Sequence, residues 1–333
     1  MEEKRQKVVD VIKEDLLAAD LTWSLFLAAL KSYRHDSILR PFPNAFVSEA
    51  GEKDFETLAQ VAGEVPSLRT LLHQSKDKST LSQQAWELLE WALQDNPFTI
   101  KPLENSQFSR IQELTGKASY KVEPNFLFEV QYQNASNQRF AELQTQYDVI
   151  YAYHGSRLEN FHSILHNGLI HALSKNTLFG EGTYLSSDLS VSMPYSQKAK
   201  AWQKSIVGES LSCVAVCQII DHPDVKCQTE GKFFIYNTDK RRARAPDSLG
   251  GDVPDKYYVV TNSELVRLKY LLVFSDKSSL SSSGPQRHSK LVTWVRNHKF
   301  ALLMMSYILV LLFVGIINSK GFRSFQRQYL RLS

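Results

Sequence analysis

The sequence predicts an α+β protein with a small all-helical N-terminal domain, a mixed-sheet domain and a single C-terminal transmembrane helix. Three observations predict it. Apolar residues recur at helical spacing through residues 1–94, and the period switches to two from Phe98 onward. Residues 300–317 (FALLMMSYILVLLFVGII) then run for 18 positions without a charge or a proline.

In the first segment Val8, Val9, Ile12, Leu16 and Leu17 recur at helical spacing, and a second apolar helix is expected over 21–33. Arg40-Pro41-Phe42-Pro43 ends that pattern, because proline lacks the donor a helix needs. Shorter helices are expected over 54–62 and 67–74. Thr80 with Gln83 has the spacing of a capping box ahead of Trp86, Leu89 and Leu93. Asp95-Asn96-Pro97 closes this part, which gives a helical domain at 1–95 and a second domain at 96–276. There, strands are expected over 126–132, 149–153, 211–220, 257–261 and 266–274, with helices at 108–114 and 158–166. Few helices between strands argue against a doubly wound parallel sheet. Residues 277–299 are a Ser-rich, basic linker.

The apolar run at 300–317 would span about 27 Å as a helix, the thickness of a thin bilayer core. It has no polar face to turn to water, and basic residues flank it. Only the short basic tail 318–333 follows, and the charged N-terminus lacks a signal-peptide pattern. The expectation is a tail-anchored protein of the endoplasmic reticulum membrane, with a cytosolic body and a lumenal C-terminus. The nuclear envelope and the mitochondrial outer membrane are the alternatives.

The formal charge of +4 comes from 39 basic and 35 acidic residues. Six of the basic ones (Arg296, Lys299, Lys320, Arg323, Arg327, Arg331) lie in 291–333, which holds no acid. The body is left at net −2, which excludes a nucleic-acid binder driven by bulk charge. Lys240-Arg241-Arg242-Ala243-Arg244 resembles a nuclear-localisation run, but on a membrane-anchored chain it reads rather as a solvated loop. Cys213, Cys217 and Cys227 form no CxxC pair and read as packed thiols; His162 and His166, at i, i+4 without an HExxH glutamate, do not read as metal ligands. No metal is expected.

Three features stand out in the strand-rich part. His154-Gly155-Ser156 follows the apolar strand VIYAY, with a glycine that lets another backbone approach. Phe179-Gly180-Glu181-Gly182-Thr183-Tyr184, followed by Ser192 and Tyr195, suits a tight turn that presents Tyr184 to something flat; position 185 is Leu, so it is no dinucleotide fingerprint. Lys256 to Asn262 and Leu265 to Leu272 read as two consecutive strands of a core hairpin.

Together these segments resemble the poly(ADP-ribose) polymerase-like branch of the ADP-ribosyltransferases. HGSRLENFHSILHNGL, GEGTYLSSDLSVSMPYS and YYVVTNSELVRLKYLL are similar to that family's three NAD-binding segments. Their order, and the gaps of 30 and 73 residues between His154, Tyr184 and Tyr257, also fit. The resemblance implies NAD+ as consumed co-substrate and a catalytic set of His154, Tyr184 and Tyr257. In this reading His154 hydrogen-bonds a ribose of NAD+, and Gly155 clamps the nicotinamide amide by its backbone. Ser156 belongs with the NAD-binding residues, and Ser192 offers a hydroxyl to the same amide. Tyr184 and Tyr195 form the two walls of the nicotinamide slot. Tyr257 stands where chain-extending members have glutamate.

That departure implies transfer of one ADP-ribose unit to protein side chains, including the enzyme's own, without polymer growth. The partners implied are NAD+, protein acceptors at the cytosolic membrane face and the lipid bilayer. A catalytically silent membrane scaffold that keeps the slot to bind NAD or ADP-ribose is the alternative. The helical domain is expected beside the donor cleft as a lid or regulator.

Overall fold

Asp15 divides the N-terminal helical stretch, because its carboxylate accepts from the backbone N of Ala18 and starts a new helix. The computed structural model describes residues 2–73, 81–116, 122–170, 179–227, 253–254 and 256–276. The expected basic loop, linker, membrane span and tail lie outside these residues. Among the described residues no helix is long and apolar enough to cross a membrane.

Among the described residues six α-helices come first: α1 (Glu2–Glu14), α2 (Leu16–Leu30), α3 (His35–Ile38), α4 (Phe55–Glu64), α5 (Leu68–His73) and α6 (Gln83–Gln94). The start of α6 differs from the expected capping box. Ser82 is the cap, its hydroxyl accepting from the N of Ala85, and Thr80 lies outside the described residues.

The remainder is built on a nine-stranded sheet. Its strands are β1 (Phe98–Leu103), β2 (Phe126–Tyr132), β3 (Val149–Gly155), β4 (Thr183–Ser186), β5 (Ala199–Lys200), β6 (Ser210–Ile220), β7 (Lys226–Cys227), β8 (Tyr257–Val260) and β9 (Val266–Ser275). The order is β1-β2-β9-β6-β3-β4-β8-β7, with β5 added on β6. Among the described residues four α-helices accompany them: α7 (Phe108–Thr115), α8 (Asn134–Gln144), α9 (Phe161–Asn167) and α10 (Leu189–Ser192).

Two expectations about the sheet are corrected. It is not mixed: every pairing among the described strands is antiparallel. Nor do β8 and β9 form a hairpin. β8 pairs with β4 and β7, while β9 lies between β2 and β6, so the two consecutive strands sit in different parts of the sheet.

The two faces of the sheet explain its sequence. In β6, Leu211, Cys213, Ala215, Cys217 and Ile219 face one core, while Val214 and Val216 face a second with Leu272 and Phe274. A strand buried on both sides reads as a continuous apolar run. β9 keeps Leu268 and Leu271 on the same core, although three positions separate them. The register shift at Val216/Cys217 adds the residue that makes this possible. The thiols of Cys213 and Cys217 pack in this interior, where burial pushes the first up to about 12 and the second further still.

Helix α2 is shared. Ala18, Leu21, Leu25 and Ala28 join the core on the sheet, whereas Trp23, Phe26, Leu27 and Leu30 join the core of the helical bundle. Its apolar character on every side follows from lying between two interiors. Each large side chain fully buried there contributes roughly 1.5–3 kcal/mol. The carboxylate of Asp20, fully buried on this helix, accepts from the Ser205 hydroxyl and from the N of Ile206 (3.1 Å) and Val207 (3.4 Å). Trp202 inserts into the helical core, and Lys204 donates to the Val65 carbonyl at 2.7 Å. Residues Met1–Ser279 accordingly form one compact unit.

Candidate active site

Strand β3 carries the first group of residues. It runs two residues beyond the expected end, because His154 and Gly155 continue the ladder opposite Ala215 and Val214 of β6. His154 is therefore fixed within a strand rather than on a loop. Its Nδ1 lies 2.9 Å from the Tyr184 carbonyl. A carbonyl can only accept, so Nδ1 carries the hydrogen and Nε2 keeps a lone pair. Burial pushes the imidazole below its ordinary value, partly opposed by that same hydrogen bond, and keeps it neutral at pH 7.

Gly155 is a point of close approach. A Cβ there would lie 2.0 Å from the Ser192 carbonyl oxygen and 3.0 Å from the Cβ of Tyr195. Only glycine lets the α10 turn, with Ser192 and Tyr195, lie against the strand. The Ser192 hydroxyl is buried and donates to the Tyr153 carbonyl at 3.1 Å, so toward a ligand it offers lone pairs. The Ser156 backbone N donates to the Ser196 hydroxyl, and its own Oγ accepts from Asn160 at 2.9 Å, leaving its hydrogen to give.

The glycines before β4 have a definite task. Gly182 holds φ +149°, and a Cβ there would meet Val259 Cγ1 at 2.6 Å, so strand β8 can close on β4. Tyr184 follows. Its hydroxyl donates to the Gly180 carbonyl at 2.6 Å and accepts from the Phe179 N at 2.9 Å. Pinned by its own loop, the ring is a fixed wall. Tyr195 is half exposed at 53% on the turn Met193–Tyr195.

Tyr257 begins β8 opposite Ser186. Burial, then the Tyr195 phenol and the Asp188 carboxylate, push its hydroxyl above the ordinary value, so it is neutral at pH 7. Lys256, just before it, has φ +69° and donates to Asp188 Oδ2 at 3.2 Å. Burial works to raise Asp188, but bonds from Ser190 and Lys256 outweigh it and hold the carboxyl below its usual range.

All seven site residues expected from the sequence, His154, Gly155, Ser156, Tyr184, Ser192, Tyr195 and Tyr257, line one cavity of about 560 Å³. That size suits a small organic ligand. The cavity has further walls: Arg34, Ser37 and Ile38 from the helical part, which carried no motif, and Asn160, Ser163 and Ile164 of the HGSRLENFHSILHNGL segment, beside or on α9. His162 and His166 face away from metal chemistry. His162 Nε2 bonds the Pro41 carbonyl and His166 Nδ1 the His162 carbonyl, and burial drives His162 down to about 3.

Comparison with known proteins adds the decisive observation. The model of the poly(ADP-ribose) polymerase catalytic domain matches residues 105–276, and that of the ARTD15 N-terminal domain matches 10–93. The chain belongs to the poly(ADP-ribose) polymerase family. It is an ADP-ribosyltransferase. It is 49% identical to the human protein mono-ADP-ribosyltransferase PARP16 over 93% of this chain and 94% of that one. The mouse PARP16 is 47% identical over 97% of each chain. Mouse protein mono-ADP-ribosyltransferase PARP8 is 24% identical over 70% of this chain and 31% of its own length.

Proposed function

We propose that this family member transfers a single ADP-ribose from NAD+ to protein side chains, its own included, and releases nicotinamide. The observation that carries the reading is the convergence of His154, Tyr184, Tyr195 and Tyr257 on one cavity. Tyr184 and Tyr195 hold the pyridinium ring between them. The Gly155 backbone and the Ser192 lone pairs meet its carboxamide, and Nε2 of His154 accepts from a ribose hydroxyl.

In the reaction the bond from the ribosyl carbon to the pyridinium nitrogen breaks. Its electron pair leaves with nicotinamide, which departs neutral, and the sugar becomes oxocarbenium-like. A protein nucleophile attacks that carbon and loses a proton. The site's contribution is to orient the ring rigidly and exclude water. A carboxylate at position 257 could stabilise the cation and orient a second ribose hydroxyl. The neutral Tyr257 phenol does neither as strongly, so growth of a chain is disfavoured.

The apolar run 300–317 supports anchoring in the endoplasmic reticulum membrane, with residues 1–95 as the regulatory domain, 96–276 as the cytosolic catalytic domain, 277–299 as linker and 318–333 as lumenal tail. Carbonate extraction of membranes that releases the full chain would refute the anchor. Mass spectrometry after exposure to labelled NAD+ should find single units on protein; long ladders would overturn the reading. His154→Ala and Tyr184→Ala should each abolish nicotinamide release. No release from the parent chain would favour the silent scaffold.

A further inference from the structure

The cavity has one charged side chain among its described lining residues, and it comes from the helical part: Arg34. Arg34 is half-buried, and no described carboxylate, carbonyl or ring engages its guanidinium. A guanidinium without a protein partner keeps its donors for an anionic ligand.

The backbone that carries Arg34 is tightly determined. The strap from Ser32 to Pro41 is tied at both ends to the segment that follows His154. At one end the Ser32 hydroxyl donates to Glu159 Oε1 at 3.2 Å, the same oxygen that takes Arg157 Nε at 2.9 Å, and Arg157 covers the Tyr33 ring at 5.9 Å. At the other end the Pro41 carbonyl accepts from His162 Nε2 and the Arg40 carbonyl from Asn167 Nδ2, each at 3.1 Å. Between these ties the Ser37 hydroxyl donates to the Arg34 carbonyl at 3.0 Å. Side-chain entropy apart, Arg34 is preorganised.

We infer that Arg34 binds the diphosphate of the donor dinucleotide, so that the helical part completes the donor site. This rests on the proposed function above. If the aromatic residues hold the pyridinium ring, the strap and α9 furnish the walls left for the ADP half. That half carries two negative charges, and a planar guanidinium meets phosphate oxygens two at a time. The helical part is then a substrate-binding element rather than only a cover.

The test measures binding of ADP-ribose, adenosine and benzamide to the full chain, to Arg34→Gln and to Arg34→Lys by calorimetry, with kcat and KM for NAD+ alongside. Arg34→Gln should weaken ADP-ribose by roughly tenfold or more and raise KM without lowering kcat. Arg34→Lys should recover part of the loss. Adenosine and benzamide, which lack phosphate, should bind both variants as they bind the parent. ADP-ribose affinity within twofold of the parent, with benzamide still bound, would overturn the assignment. So would an equal loss for adenosine, which would mark a contact to the base, or for benzamide, which would mark a general disturbance of the fold. A parent chain that bound none of the three would refute the proposed function itself.

Discussion

Replacing Gly155 by alanine puts the close packing of the site to a direct test. The added Cβ would stand 2.0 Å from the Ser192 carbonyl oxygen, and the obstacle is backbone, which cannot swing aside as a long side chain would. A tolerable contact needs about 1 Å more, so the α10 turn must retreat from β3 by that amount, a strain costing about 1–3 kcal/mol. The same retreat carries Tyr195 away from Tyr184 and opens the slot. Misplacement of a reacting group by 1 Å lowers rates on the order of a hundredfold. The assay is kcat/KM for transfer from labelled NAD+, with urea denaturation of the same preparation. A variant within twofold of the parent in rate, with an unchanged midpoint, would refute the claim that this contact sets the slot's width.

Three further outcomes follow from the buried polar groups. Because burial pushes His154 below its ordinary 6.5 and its proposed role is that of a neutral acceptor, kcat/KM should be flat above that pH and fall only on further acidification; a rise on acidification would contradict that role. His162, driven from 6.5 to about 3, is neutral when folded and protonates first in the unfolded chain. Stability should therefore be full above about pH 6.5 and fall by up to about 1.4 kcal/mol per unit as pH drops toward 3, with a shallower slope in His162→Gln, checked by denaturation at stepped pH. Asp20→Ala should cost about 2–4 kcal/mol by leaving the Ile206 N and Ser205 hydroxyl without their acceptor, and Asp20→Asn less, both read from urea midpoints.

The parts of the fold that stood out in the sequence are those whose burial is simple. Strand β2 shows its full length through its alternating apolar residues, and β6 does so within one residue because it is apolar on both faces. The four-residue β4 was legible only as a glycine motif, since so short a strand has no period to detect. Strands β1, β5 and β7 and helices α3, α8 and α10 were not anticipated. The sheet's pairing was hidden as well: neighbours in sequence, β8 and β9 suggested a hairpin, yet their partners are remote segments. All seven site residues were visible because they sit in compact motifs. Arg34, Ser37 and Ile38 were not, because a lone arginine on a strap has no local pattern, and only long-range packing brings it to the cavity.

The double allegiance of α2 has a consequence for how this enzyme can be cut or altered. A truncation that begins at the catalytic-domain match would strip Leu21 and Leu25 from the sheet's interior and remove the carboxylate that organises the 205–208 turn. There is no seam to part along. Damage to the N-terminal third reaches the chemistry by loosening its floor, and a shortened enzyme that lost activity would say nothing by itself about regulation.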